Sequence, residues 1–218
     1  MARGNQQDNY TNFYVKLVGL KKGSKECFFE FKQKKGDKYE VVDKQQTFEG
    51  LLESIKVKEI EHEGKKKPVL EIILRDDIAA ERYFLNMGMS NISRQLISCL
   101  HSAESLNHLS FWTKMGDNGF PILVTKANNS SDKLQWGLDM KELSAKYVTE
   151  HKVGDDIIRV YKELDNYLLT QILPGVISKI VQQPKASIMT VKDSVPAEVV
   201  KPNVYEASEE EFDDDLPF

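Results

Sequence analysis

The sequence predicts a mainly β protein of the α+β class, and three observations carry that reading. Apolar and polar residues alternate in short runs between residues 12 and 126, the period of half-buried strands. One stretch of helical period interrupts those runs near residue 91, and a second follows residue 155. Beyond residue 182 the apolar period stops and Pro184, Pro196 and Pro202 punctuate the chain.

A chain of 218 residues with 40% hydrophobic content suits one domain with appendages. The N-terminal MARGNQQDNY is polar, and no apolar run approaches the roughly 20 residues that span a bilayer, so a soluble cytoplasmic protein is expected. Cys27 and Cys99 lie far apart beside apolar neighbours and read as buried free thiols.

The elements follow in order. In residues 12–18, Phe13, Val15 and Leu17 share one side and Tyr14 and Lys16 the other, as in a strand with one buried face. Residues 27–32 repeat the habit, with Phe29 and Phe31 on one face and Phe28 with Glu26, Glu30 and Lys32 on the other. After the Lys34-Lys35-Gly36-Asp37 turn, residues 38–42 make a third strand. The central pattern begins with a long strand at 50–60, turned by 63–68 into a second at 69–75, with a third at 82–87. Ser90 then caps a helix over 91–105, in which Ile92, Leu96, Cys99, Leu100 and Ala103 recur at helical spacing. Strands at 109–115 and 120–126 flank the Gly116-Asp117-Asn118-Gly119 turn.

Three strands, a helix and two strands is the element order of the five-stranded oligonucleotide-binding barrel, whose open face holds single strands. The expected architecture is therefore such a barrel with an N-terminal strand extension and C-terminal helices. A further strand is read at 133–139, and a helix at 155–172 from the stripe Ile157, Tyr161, Leu164 and Leu168. Pro174-Gly175 reads as its interruption, and Val176, Ile177, Ile180 and Val181 as a short amphipathic turn. The organisation is then 1–182 for the binding domain with its extensions, 183–205 for a flexible linker and 206–218 for a disordered acidic tail.

That tail reads EASEEEFDDDLPF, with seven carboxylates and no Lys or Arg. Subtracting those seven acids from the chain's 34 leaves 27 against 30 Lys and Arg, so the body carries a formal +3 although the whole chain is −4. A basic body with an acidic tail is the charge layout of a polyanion binder that carries its own competitor. The apolar end Leu216-Pro217-Phe218 does not suit a merely solvating tail, whereas an aromatic anchor beside charges suits docking in a basic pocket.

Glu211-Phe212-Asp213-Asp214-Asp215-Leu216-Pro217-Phe218 resembles the acidic tip of bacterial single-stranded DNA-binding proteins and the Phe-ended tails of some phage counterparts. Leu216 stands where Ile is usual and Glu211 where Asp is usual, and both changes keep charge and bulk. The resemblance implies a protein that coats single strands in replication, repair or recombination. It further implies that Phe212, Asp213, Asp214, Asp215, Leu216, Pro217 and Phe218 bind partners such as helicase, primase, polymerase or exonuclease.

Binding without sequence preference needs aromatic platforms for bases and cations along the phosphates. Alternation places Trp112 on the polar face with Lys114, Phe84 with Arg82, Tyr14 with Lys16, and Phe28 with Lys32. Trp136 falls instead with Leu134 and Leu138 on the expected core side. Lys65, Lys66 and Lys67 at the tip of the hairpin turned by 63–68, with Lys56, Lys58 and Arg75 on its strands, complete the expected phosphate contacts. No cofactor or metal is expected, because His62, His101, His108 and His151 show no ligand spacing and there is no phosphate-cradling Gly-rich loop. Two other classes stay open: an adaptor that recruits replication proteins without touching nucleic acid, and a metal-dependent nuclease using Asp76, Asp77 and Glu81.

Overall fold

The computed structural model of the chain describes residues 10–19, 26–62, 64–116, 120–154 and 156–181. All of these lie in the first of two units, 1–187; the linker from 183 and the tail residues Phe212 to Phe218 lie outside the described residues. Among the described residues, ten strands and four α-helices follow in order: β1 (Thr11–Val18), β2 (Phe28–Lys35), β3 (Lys38–Gln45), β4 (Thr47–His62), β5 (Lys65–Asp76), β6 (Glu81–Gly88), α1 (Asn91–Ser102), β7 (His108–Met115), β8 (Pro121–Ala127), α2 (Met140–Tyr147), β9 (Thr149–Val153), β10 (Asp156–Val160), α3 (Lys162–Tyr167) and α4 (Leu173–Ile177). A π-helical turn, Leu168–Ile172, joins α3 to α4.

Strands β1 to β8 form one sheet in the order β3-β2-β1-β6-β5-β4-β7-β8. The protein is mainly β, but the sheet is an eight-stranded curled half-barrel and not a five-stranded one. The expected N-terminal extension is no appendage. β1 pairs in parallel with β6, Tyr14 opposite Phe84, and so satisfies an edge that the central strands leave open.

Curvature comes from β4. It pairs with β7 over Thr47 to Leu51 and with β5 from Leu51 onward, and its register shifts between Leu52 and Ser54. Gly50 permits the bend, since a Cβ there would meet the Arg75 carbonyl oxygen at 2.8 Å. The curl carries the start of β2 round to β7, where Cys27 Sγ lies 3.2 Å from Thr113 Oγ1.

Inside the curl, alternation delivers an aromatic core. Phe48 touches Phe29, Phe31 and Phe111 at centroid distances of 4.7, 5.6 and 5.2 Å, mostly edge to face. This box joins the N-terminal strands to the central ones, which is why β1 and β2 belong to the core. Helix α1 starts at Ser90, whose hydroxyl accepts from the Ser93 amide while Ser93 reaches back to the Ser90 amide. Its Leu96, Ile97 and Leu100 join the core with Leu164, Leu168, Leu173 and Val176. Arg94 grips Asp165 at 2.7 Å and lies 4.1 Å over the Tyr161 ring, fastening α3 to α1.

The C-terminal third corrects three expectations. Residues 133–139 form no strand beyond one bridge, Lys126 to Lys133, and Trp136 is 47% exposed instead of facing the core. The helix read from residue 155 begins only at Lys162, because Ile157, Ile158 and Val160 are β-branched and pair with β9 in a hairpin. Pro174 and Gly175 do not end the helical run but sit inside α4, with Pro174 in its first turn. Helix α2 was not expected, although Asp139 signals it by accepting from the Lys141 and Glu142 amides. Among the described residues, no helix is long and apolar enough to cross a membrane.

Candidate nucleic-acid interface

The face of the sheet that turns away from the core carries the candidate site, and register fixes what sits there. Lys32, Tyr14, Phe84, Ile73 and Ser54 lie opposite one another across β2, β1, β6, β5 and β4. Since directly opposed residues share a face, the row is an aromatic one at its centre. Tyr14 stacks on Phe84 with centroids 5.3 Å apart and 20° between planes, and Tyr39 of β3 meets Tyr14 edge-on at 4.8 Å. Tyr39 is 52% exposed, while Tyr14 and Phe84 are half-buried.

Beside this row stands a built cation cluster. Glu71 lies opposite Lys56 and is 2% exposed, yet two ammonium groups reach it: Lys56 Nζ at 3.2 Å, and Lys58 Nζ, which donates to the other carboxylate oxygen. The lysine side chains remain about half exposed, 49% and 48%, so one buried charge anchors two outward-facing cations. The same charges reach the aromatic row. Burial, and then the neighbouring Tyr39 hydroxyl, push the Tyr14 phenol above its ordinary value, and Glu71 pushes the same way against Lys58.

The remaining expected residues divide. Lys16 is exposed opposite Glu30, and Lys32 pairs with Glu30 at 3.4 Å. Lys65, Lys66 and Lys67 are exposed on the projecting arm of β4 and β5, with Lys66 near Glu59 at 3.5 Å. Phe28 lies outward under Lys44, whose Nζ is 4.9 Å from the ring centroid. Arg82 bonds Glu53 at 2.8 Å and covers the Tyr10 ring. Arg75 corrects the expectation of an available phosphate contact: it is 4% exposed and ion-paired with Asp77 at 2.9 Å.

Trp112 faces outward as alternation demands, 36% exposed, with Lys114 Nζ 5.5 Å from its ring. It does not join the Tyr14–Phe84 stack. Its partner on β4 is Thr47, seven positions before the Ser54 that ends the aromatic row. At roughly 3.3 Å per residue that is about 20 Å along the strand. The outer face thus holds two stations, one at Tyr39, Tyr14 and Phe84 and one at Trp112.

Sequence reasoning missed Tyr39 and Glu71. Tyr39 was legible, since alternation in β3 sets it with Val41, and only the β2 turn register was needed to bring it over Tyr14. Glu71 carried no such signal, because a lone Glu between Leu70 and Ile72 looks like any solvent-facing strand residue.

A cleft of about 800 Å³ opens elsewhere, at the mouth of the curl, floored by Phe31, Phe48 and Tyr83 and rimmed by Asp43, Glu49 and Asp76. Those carboxylates would repel a polyanion. The three acids weighed for metal chemistry are each committed locally. Asp76 accepts from the Ile78 and Ala79 amides, Asp77 binds Arg75 and Tyr10, and Glu81 accepts from the Tyr83 hydroxyl. Among the described residues no group of three or more His, Cys, Asp or Glu could hold a metal ion.

Compared with known proteins, the chain matches no family model, no curated protein and no solved structure.

Proposed function

We propose that the chain is a sequence-independent single-stranded DNA-binding protein, without catalytic activity or cofactor, that coats single strands and recruits partner enzymes through its acidic tip. The observation that carries this reading is the outer-face row of Tyr39, Tyr14 and Phe84 beside Lys56 and Lys58. Stacking surfaces next to outward cations, free of a donor-acceptor pattern that would read base edges, suit bases and phosphates of any sequence. In this reading β4 to β8 supply the oligonucleotide-binding barrel, and β1 to β3 widen its binding face. The tip resemblance supplies the second part: Phe218 and Asp213 to Asp215 dock on basic pockets of replication, repair or recombination enzymes, and the tail's carboxylates compete with phosphates for cations.

The test is fluorescence titration with poly-dT at several salt concentrations, using the full chain, a truncation ending at Ala207, and Phe84→Leu. Stacking is worth roughly 1–3 kcal/mol per base, so Phe84→Leu is expected to weaken binding about tenfold or more. The truncation binds more tightly than the full chain, and affinity falls steeply with salt. Absence of binding by every form at low salt overturns the reading and leaves an adaptor that works through its tip alone.

A further inference from the structure

Every residue of both strands of the β9–β10 hairpin is exposed, and none of its apolar side chains belongs to the core. Val153, Ile158 and Val160 are 57%, 50% and 39% exposed. Register places Thr149, His151, Val153, Asp156, Ile158 and Val160 on one face and Glu150, Lys152, Ile157 and Arg159 on the other. Three of the hairpin's four exposed aliphatic residues, Val153, Ile158 and Val160, thus share one face, and Ile157 lies on the other. A two-stranded ribbon is marginal in water by itself and gains from further strands on its edge. β9 pairs with β10 and, among the described residues, with no other strand.

The sequence of that open edge names the strand that fits it. Thr149-Glu150-His151-Lys152-Val153 read antiparallel to itself about His151 sets Glu150 opposite Lys152 and Lys152 opposite Glu150. Thr149 then lies opposite Val153 on the other face. Arg159 already pairs with Glu150 across β9 and β10 at 2.8 Å, so the row runs Arg159, Glu150, then Lys152 of the second copy, and ends on that copy's Ile157. An edge complementary to itself is what a two-fold contact requires, and two-fold dimers are the commonest closed assembly.

We propose that β9 joins β9 of a second copy of this chain, giving a four-stranded sheet β10-β9-β9-β10 about a two-fold axis at His151. The pairing satisfies the open backbone edge of both ribbons and sets Val153 of each against Thr149 of the other. It stands independently of the nucleic-acid reading.

The test uses the full chain in sedimentation velocity over a dilution series, with Lys152→Glu and Glu150→Lys. Each substitution is on the surface, and circular dichroism verifies that the fold is retained. In Lys152→Glu both cross-copy pairs become carboxylate against carboxylate, and in Glu150→Lys both become ammonium against ammonium. Each variant alone is expected to dimerise about tenfold or more weakly than the wild type. Mixed together they restore the dimer, because the two carboxylates on the edge of the Lys152→Glu copy face the two ammonium groups on the edge of the Glu150→Lys copy. A wild type that stays monomeric, single variants that dimerise like the wild type, or a mixture that stays monomeric would each overturn the proposal.

Discussion

Replacing Lys56 and Lys58 together by Met separates what Glu71 does for the fold from what the lysines do for a ligand. The carboxylate is 2% exposed and its charge is balanced by those two ammonium groups. Stripping a buried charge of its partners costs about 3–5 kcal/mol when it stays dry. Here the lysines are half exposed, so their removal admits water, and about 1–3 kcal/mol is the appropriate figure. In a domain of this size each kcal/mol shifts the melting temperature by about 2–4 °C, so a fall of about 2–12 °C is expected at neutral pH. Adding Glu71→Gln removes the stranded charge and returns most of that stability. On the proposed reading, poly-dT binding is expected to be lost in the double variant and not recovered in the triple, since the cations are still missing. Thermal unfolding by circular dichroism and the same fluorescence titration read the two quantities. A double variant as stable as the wild type refutes the anchoring role of Glu71, and a triple variant that binds like the wild type refutes the placing of these lysines in the interface.

Phe48→Ala opens the aromatic box that joins β1 and β2 to the central strands, and urea denaturation should show a loss of about 3–5 kcal/mol. His101 has its pKa lowered, first by burial and second by Lys179, so the unfolded chain takes up this proton more readily than the folded one. Its contribution is complete above the ordinary histidine value and is lost as the pH falls below it. Melting temperatures of the wild type should therefore drop more between pH 7.5 and pH 5 than those of His101→Gln. Burial pushes the Cys99 thiol up to about 11, and Cys27 is 1% exposed, so a chromogenic disulfide should label neither cysteine until the protein is unfolded.

Local chemistry that repeats along one strand was legible in the sequence. Alternation set Phe13, Val15, Leu17, Phe29 and Phe31 inward, turned Tyr14, Phe28, Phe84 and Trp112 outward, and Ser90 announced α1. Pairing between distant strands was not legible, because nothing local states that β6 takes β1 as a parallel neighbour. The same gap hid the separation of Trp112 from Phe84, which depends on where β4 exchanges one partner for another. Near residue 157 the period itself misled: Ile157, Tyr161, Leu164 and Leu168 fit a helical stripe, yet only Leu164 and Leu168 are buried. Two adjacent β-branched isoleucines were the contrary signal.

The position of β1 ties these points to function. Had the central strands closed on themselves, β6 would have presented Phe84 to solvent with no aromatic neighbour from the N-terminus. By taking that edge, β1 brings Tyr14 onto Phe84, and β3 follows through β2 to bring Tyr39 onto Tyr14. The three-ring row is thus a consequence of topology, assembled from segments of the chain that are 25 and 45 residues apart. It follows that the stability of the N-terminal strands and the proposed affinity for single strands are coupled. A substitution such as Phe31→Ala, which touches no outward ring, loosens β2 from the Phe48 box and thereby lets Tyr39 and Tyr14 drift from Phe84. Its effect on poly-dT binding should exceed that of an equally destabilising substitution in α1, such as Leu100→Ala, which packs the inner face but carries none of the three rings. Equal losses from the two would mean that the rings act singly, and that only Phe84 or Trp112 needs to be in place.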